Sequence, residues 1–358
     1  MTQAVSSSGK CQLSICVPTL NRATYLKGLL QNIFDQKNNY SSNEVEIVIV
    51  DGGSSDETES IAKKFTEMGL NINYFKRRFK CGIDADILKS IEIAKGMYCW
   101  LFSDDDRFCH NAIKAVINKL REYEILSGCF CNRLPYDDQL RYRVPEINLW
   151  PHKLLKKDHL FTDKDSCFIF LGMDLGFISS QIVNRRLWQK TIAANTLDGF
   201  FNCYLMVYIL GLMMEDNCRW LYIDEPVVKQ RTGNDSFLSR SGLYQRQIIE
   251  HEGLSKSIRA HYFEKSIIYK LVFKRMVLRL PRAVANMKSF NPPYHIQFKI
   301  LALYIKKYRH YAAFWLGVLP LFIIPNNIFK TIKTIYFDFK IRTAKKNQDR
   351  NDNFNFIE

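Results

Sequence analysis

The sequence contains no uncharged apolar run long enough to cross a bilayer. Residues 312–324 (AAFWLGVLPLFII) stop at 13 and carry Pro320, against the ~20 residues a spanning helix needs. The opening residues, MTQAVSSSGKCQ, place no apolar stretch behind a positive one, which predicts no secretory signal and a cytosolic chain. Cysteine is present ten times, but without a C-x-x-C or a cysteine–histidine cluster, and Cys129-x-Cys131 is the closest pair. Neither a disulfide framework nor a zinc site therefore has support. The seven histidines show no paired spacing and are read as structural or surface residues. The turn after the first strand reads PTLNRATYL, with no G-x-G-x-x-G, and no G-x-x-x-x-G-K-[ST] occurs, so a dinucleotide dehydrogenase and a P-loop enzyme are poorly supported. A nucleotidyltransferase would want a glycine-rich basic loop at that point, and there is none. Acid is what the end of the chain lacks. Residues 1–252 hold 31 basic and 31 acidic side chains and the last 106 hold 20 and 5, so the whole net charge of +15 lies there. A neutral first part offers no general polyphosphate footprint, which argues against nucleic acid, while the basic end predicts an anionic partner.

What is present reads as an alternation of strands and helices. Residues 13–17 (LSICV) and 45–50 (VEIVIV) are short, β-branched apolar runs, each followed by turn chemistry and a helical pattern. The segment Pro18-Thr19-Leu20-Asn21 offers a helix cap before Leu26, Leu29, Leu30 and Ile33, and Ser54-x-x-Glu57 offers a capping box before Ile61, Ala62 and Phe65. Residues 72–75 (INYF) and 98–102 (YCWLF) are two further strands, with Ile87, Leu88, Ile91 and Ala94 on a helix between them. This order predicts an α/β fold with a mainly parallel sheet, whose ligands bind beyond the carboxyl ends of the strands. The polar residues collect at those ends: Thr19 and Asn21, then residues 51–54, then residues 104–106. Further on, residues 199–214 are expected to be helical and 229–242 to form a polar loop. Residues 264–280 alternate Ile267, Leu271 and Leu278 with Lys270, Lys274 and Arg279, and Pro281 is expected to stop the run.

Three adjacent carboxylates, Asp104, Asp105 and Asp106, follow a strand that should be buried, and like charges packed there need a compensating cation. A hard divalent ion such as Mg²⁺ or Mn²⁺, completed by phosphate oxygens, is the natural partner; a solvated acidic turn is the plain alternative. Asp51 adds a carboxylate at the end of a neighbouring strand, where it can accept from a ribose hydroxyl or a base N–H.

The stretches C-V-P-T-L-N-R-A-T-Y-L at 16–26, E-I-V-I-V-D-G-G-S-S-D-E-T at 46–58 and S-D-D-D at 103–106 resemble, in order and spacing, the inverting family 2 glycosyltransferases of the GT-A fold. Within that family, residues 82–102 and R-T-G-N-D-S-F-L at 231–238 are most similar to the abequosyltransferase-type enzymes of bacterial surface-polysaccharide assembly. The resemblance implies a glycosyltransferase domain over 11–252, with a nucleotide-binding half at 11–125 and an acceptor-side half at 126–252. A basic helical region at 253–346 and a disordered tail at 347–358 would follow. It implies that Pro18, Thr19, Asn21, Asp51, Gly53, Asp84, Asp104 and Asp105 bind the nucleotide sugar, that Asp106 and Asp104 hold the metal, and that Asn234, Asp235 and Ser236 form an acceptor or lid loop. The acidic cluster begins with Ser103 where many relatives have an acid, which shifts roles within it by a residue.

Sugar transfer needs stabilisation of the departing diphosphate and a base for the acceptor hydroxyl. Asp198 and Asp174 are the candidate bases, each with a helix cap or turn residue as its ordinary reading. The expected activity is metal-dependent, inverting transfer of a sugar, a deoxy or dideoxy hexose by resemblance, to a lipid-linked glycan. The basic and aromatic flanks of residues 312–324 predict a peripheral place on the anionic inner face of the cytoplasmic membrane. The alternative is a non-catalytic nucleotide-sugar-binding or scaffold protein that keeps the fold.

Overall fold

The computed structural model describes residues 12–144, 155–233, 236–263, 266–332 and 334–335. The chain divides into two units, one of Met1–Pro135, Glu146–Arg231 and Lys256–His261, the other of Tyr136–Pro145, Thr232–Ser255 and Tyr262–Glu358. The boundary expected after Glu252 thus falls inside a segment of the second unit, because the chain passes between the units more than once. The tail at 347–358 lies outside the described residues.

The first unit is built on a nine-stranded sheet. Strands β1 (Leu13–Thr19), β2 (Val45–Asp51), β3 (Ile72–Lys76) and β4 (Tyr98–Leu101) run parallel in the order β3-β2-β1-β4. Both β1 and β2 are buried along their whole length, as expected of near-continuous apolar runs covered on both faces. The sheet continues through β8 (Gln181–Asn184), β6 (Gly128–Tyr136), β9 (Trp220–Arg231) and β5 (Arg107–Phe108), with β8 antiparallel to both β4 and β6, β5 antiparallel to β9, and β7 (His159–Phe161) also pairing antiparallel with β9. The parallel half therefore carries the expected strand–helix alternation, with α1 (Ala23–Phe34), α2 (Thr58–Glu67) and α3 (Ile83–Ile93) as its crossovers. Leu26, Leu29, Leu30 and Ile33 form the buried stripe of α1 and pack in one core with Ile15, Ile47, Trp100 and Phe108.

Two local expectations need correction. Ser54 and Glu57 form no capping box: Ser54 Oγ accepts the Asn21 N–H at 2.8 Å, and Asp56 Oδ1 accepts the Thr58 N–H at 3.2 Å. Nor does Thr19 or Asn21 cap α1; Asp56 Oδ2 accepts the Ala23 N–H at 3.0 Å instead. One aspartate thus serves the starts of two helices and ties the loops after β1 and β2 together. Farther along, helix α7 (Leu205–Asp216), preceded in the chain by α4 (Ala112–Glu122), α5 (Lys164–Leu171) and α6 (Arg185–Ala194), starts later than residue 199, and β9 runs into the expected 229–242 loop as far as Arg231.

The second unit is helical: α8 (Ser236–Ile248), α9 (Ile267–Lys288), α10 (Tyr294–Tyr308), α11 (Ala312–Gly317) and α12 (Leu319–Ile323). Pro281 does not end α9, which runs through it to Lys288. An interior proline costs about 3 kcal/mol, and Leu280, Val284 and Met287, all buried around it, offset that cost by continuing the packed face. Lys288 is 1% exposed and donates to the carbonyls of Leu321 (3.0 Å) and Phe322 (2.9 Å) and to that of Ile324, closing the end of α12.

Candidate active site

The carboxyl ends of β1, β4 and β9 bring one polar cluster together. Thr19, the last residue of β1, donates from Oγ1 to Asp104 Oδ2 at 2.7 Å. Arg22, just before α1, reaches Asp105 Oδ2 with Nη2 at 2.6 Å and stands 3.2 Å from Asp104 Oδ1 with Nε. Asp106 is held from two other elements. Ser179 Oγ donates to its Oδ2 at 2.6 Å, and the Arg231 N–H at the end of β9 donates to its Oδ1 at 2.8 Å. Ser179 is itself placed by β4, through a bond of 2.9 Å from Trp100 Nε1 to its carbonyl. Arg107 lies beneath the acidic turn and donates to the carbonyls of Asp104 (3.2 Å), Asp106 (2.6 Å) and Tyr25 (3.2 Å). Gly28 of α1 makes room for it, since a Cβ there would lie 2.0 Å from Arg107 Nη2.

Arginines thus supply part of the positive charge that the acidic turn calls for. Burial pushes Asp104 up to about 7, with the Arg22 guanidinium pulling the other way and the Asp105 charge adding to the rise. Burial also lifts Asp106 to about 7, and Asp105 adds to it, against the donors from Ser179 and Arg231. Burial and the neighbouring Arg231 lower Arg107 to about 10. Burial works against the charge on Arg22, but Asp104 and Asp105 beside it hold its pKa above the usual arginine value.

The three carboxylates are not equivalent. Asp104 and Asp106 are each 2% exposed, whereas the Asp105 side chain is 14% exposed and is the open one. Among the described residues no three His, Cys, Asp or Glu side chains are grouped to hold a metal ion. The donor set nevertheless fits a hard cation of the kind that binds one or two carboxylates and completes its shell with substrate phosphates. Asp105 is the residue that would hold it. Asp106, expected as the ligand, has both oxygens engaged by Ser179 and Arg231; those of Asp105 accept from Ser103 and Arg22, so its greater exposure is what sets it apart.

The remaining expected residues fall elsewhere. Asp51, fully buried, accepts from the N–H groups of Gly53 (3.0 Å) and Ser54 (2.7 Å) and from the Tyr74 hydroxyl (2.5 Å). Its carboxylate shapes the loop after β2, in which Gly53 takes φ +97°, a conformation that suits glycine. Asn21 adopts φ +53° and accepts the Ser55 N–H at 2.9 Å, so its left-handed turn fastens the same loop. Pro18 is buried within β1 opposite Val50. Asp84 accepts the N–H groups of Cys203 (2.7 Å) and Leu205 (3.3 Å) at the start of α7, and burial pushes it up to about 6. It anchors the start of that helix. Asp174 is 2.8 Å from Arg133 in a buried ion pair, and Asp198 is exposed in a turn beside Gly199. Asn234 and Asp235 lie outside the described residues, and Ser236 opens α8. Arg22, Arg107, Ser179 and Arg231 were not singled out from the sequence, although Arg22 follows Asn21 in the first quoted motif and Arg231 opens R-T-G-N-D-S.

Comparison with known proteins bears on the family and the fold. The family described as Glycosyl transferase family 2 matches residues 14–178. The chain is 27% identical over 278 residues to the abequosyltransferase RfbV of Salmonella typhimurium, covering 75% of this chain and 80% of that one. It is 28% identical over 112 residues to the GalNAc(5)-diNAcBac-PP-undecaprenol beta-1,3-glucosyltransferase of Campylobacter jejuni, covering 31% of this chain and 35% of that one. Among solved structures, the mannosyltransferase PcManGT of Pyrobaculum calidifontis, in complex with GDP-Man and Mn²⁺, superposes with a TM-score of 0.51 at 14% identity, covering 92% of this chain and 88% of that one. The expected GT-A fold is the fold observed.

Proposed function

This chain is a glycosyltransferase with a family 2 domain over residues 14–178, and from that premise we propose that it moves one sugar, with inversion, from a nucleoside diphosphate sugar to a lipid-linked glycan of a bacterial surface polysaccharide. The observation that carries this reading is the Asp104–Asp106 turn, set at the ends of β1, β4 and β9 and braced by Thr19, Arg22, Ser179 and Arg231. The acceptor oxygen attacks the anomeric carbon as the bond from that carbon to the diphosphate oxygen breaks. The bonding pair leaves with the diphosphate, the hydroxyl proton passes to a base, and one displacement inverts the centre. We assign the base to Asp198, because Asp174 is engaged by Arg133. Bound at Asp105, Mg²⁺ or Mn²⁺ would supply positive charge for the leaving diphosphate. Asp104 and Thr19 keep the turn in place beside it.

The lipid-linked acceptor and the membrane belong to the same proposal. The second unit leaves large apolar side chains in solvent, with Leu316 81%, Ile323 80% and Phe298 67% exposed, in the part of the chain where the positive charge lies. Among the described residues no single helix is long and apolar enough to cross a membrane; the pair Ala312–Ile323 and Asn326–Ile332 meets that test only together, bent by 100°. Apolar residues amid positive charge suit an anionic bilayer surface. The basic flank at 336–346 lies outside the described residues.

A thermal-shift panel of CDP, UDP, GDP and dTDP, each with and without Mn²⁺, tests the reading. One nucleotide should stabilise the protein by about 2.7 kcal/mol at a hundredfold excess over its dissociation constant. Folded protein that no nucleotide stabilises, and that transfers no sugar from any of the matching donors, would overturn it.

A further inference from the structure

Tyr25 sits on the first turn of α1, and two guanidinium groups lie over its ring. Arg22 Cζ is 4.7 Å and Arg231 Cζ 5.1 Å from the ring centroid. The two arginines come from different elements, Arg22 from the start of α1 and Arg231 from the end of β9. Both also meet Asp105, the accessible carboxylate: Arg22 at its Oδ2 (2.6 Å), Arg231 Nε at its carbonyl (2.9 Å). A third cation, Arg107, reaches the carbonyl of Tyr25 from below.

Gathering cations around one ring is unfavourable unless anions compensate them, and the compensation here is uneven. The Arg22 Nε is buried without a hydrogen bond of good geometry, although it stands 3.2 Å from Asp104. Two planar forks on a shared aromatic shelf, at the mouth of the strand ends, form a receptor for two linked phosphates. With five N–H donors each, the two guanidinium groups can meet a phosphate while keeping their bonds at Asp105, and the ring holds them in place beforehand.

We propose that Arg22 and Arg231, carried by Tyr25, form a guanidinium clamp that binds the diphosphate of the donor directly, without a metal ion. This rests on the donor being a nucleoside diphosphate sugar. The clamp holds the diphosphate beside Asp105, and a cation joins an anion already in place. It also favours diphosphate over monophosphate, since each of two linked phosphates can meet one guanidinium.

Titration calorimetry on the full chain tests the clamp, using CDP, UDP, GDP and dTDP and their monophosphates, first with Mn²⁺ and then in EDTA. In EDTA the cognate diphosphate should bind about 10-fold or more tightly than its monophosphate, as expected for a charge-assisted pair. Arg231→Gln keeps the backbone N–H that Asp106 uses, and it should abolish that preference while leaving monophosphate affinity within twofold. Tyr25→Leu should weaken diphosphate binding only. Arg22→Gln removes a partner of buried acids, so its melting temperature is read first and Arg22→Lys, which keeps the charge and loses the fork, is the companion variant. Equal binding of di- and monophosphate in EDTA, or an Arg231→Gln protein with the preference intact, overturns the clamp while the donor reading stands on Mn²⁺-supported binding. Wild-type protein that binds no nucleotide even with Mn²⁺ overturns the donor reading, and the clamp falls with it.

Discussion

Asp174 is the residue at which a catalytic and a structural role make opposite predictions. Its carboxylate is 5% exposed and lies 2.8 Å from Arg133 Nη2, itself 7% exposed. Arg133 is further held by Gln230 Oε1 at 2.9 Å and Ser180 Oγ at 3.3 Å, and its guanidinium lies 4.3 Å over the Phe177 ring. Removing one partner of such a pair leaves a buried charge uncompensated and costs about 3–5 kcal/mol. Asp174→Asn keeps an acceptor oxygen but no charge, so about 3 kcal/mol is expected, or a melting temperature lower by roughly 6–12 °C for a unit of this size. A general base behaves differently, since its loss lowers turnover by about 10²–10⁴ without unfolding anything. The assay is a thermal melt alongside initial sugar-transfer rates taken well below the variant's transition. The expected result is a large thermal loss with turnover within about 10-fold of wild type, below the range for a lost base. The double change Arg133→Met with Asp174→Leu should regain most of the stability, because replacing both partners by apolar groups is often neutral. A protein that melts within about 2 °C of wild type but turns over 100-fold more slowly would refute this reasoning and return Asp174 to the chemistry.

The other expectations are briefer. Asp105→Asn should lower transfer about 100-fold or more and shift the melting temperature little, whereas Asp106→Asn, in a buried and fully engaged site, should act mainly on stability; rates and melts on the two variants decide between Asp105 and Asp106. Gly28→Ala would gain about 1 kcal/mol in an open helix interior, but the contact with Arg107 should turn it into a loss of about 1–3 kcal/mol, read by urea unfolding. His261 donates from Nε2 to the Tyr208 carbonyl at 2.9 Å, and burial lowers it to about 4. The unfolded chain takes up its proton near pH 6.5 and the folded chain resists until about 4, so this stability is present above 6.5 and lost as the pH falls through that window. The unfolding free energy of wild type should accordingly drop by up to about 3 kcal/mol more than that of His261→Gln between pH 7 and pH 4, and equal slopes would count against a buried neutral imidazole. Phe298→Ser with Leu316→Ser should reduce binding to phosphatidylglycerol vesicles in low salt; unchanged binding, or equal binding to neutral vesicles, would exclude a charged bilayer as the partner of that face.

What could be read from the chain, and what could not, divides along sequence separation. The strands β1 to β4 and the stripe of α1 follow from periodicities of two and 3.6, which are properties of a dozen neighbouring residues. The carboxylates of residues 104–106 were equally visible, because three adjacent acids after an apolar strand are unusual within a short window. What compensates them was not. Arg22 is about 80 residues away in the chain, Ser179 more than 70 and Arg231 more than 120; the pairing of β1 with β4 brings in the first, and the continuation of the sheet from β4 through β8 to β9 brings in the other two. An acid read alone called for a metal; the same acid read with its arginines already has much of its counter-charge. The error over Pro281 has a similar origin, since helix propensity is local and the packing that overrides it is not. Asp51 and Asp84 illustrate the remaining case. Both stand where ligands bind in parallel sheets, and both spend their oxygens on backbone N–H groups or Tyr74. A loop that must present its surface to a diphosphate has to be stiff beforehand, and buried carboxylates accepting backbone N–H groups are one way to stiffen it. On that argument the acids at these strand ends serve the site at two removes. In the proposed function Asp105 would meet the ligand, while Asp104 and Asp106 hold the turn and Asp51 and Asp84 hold the segments around it.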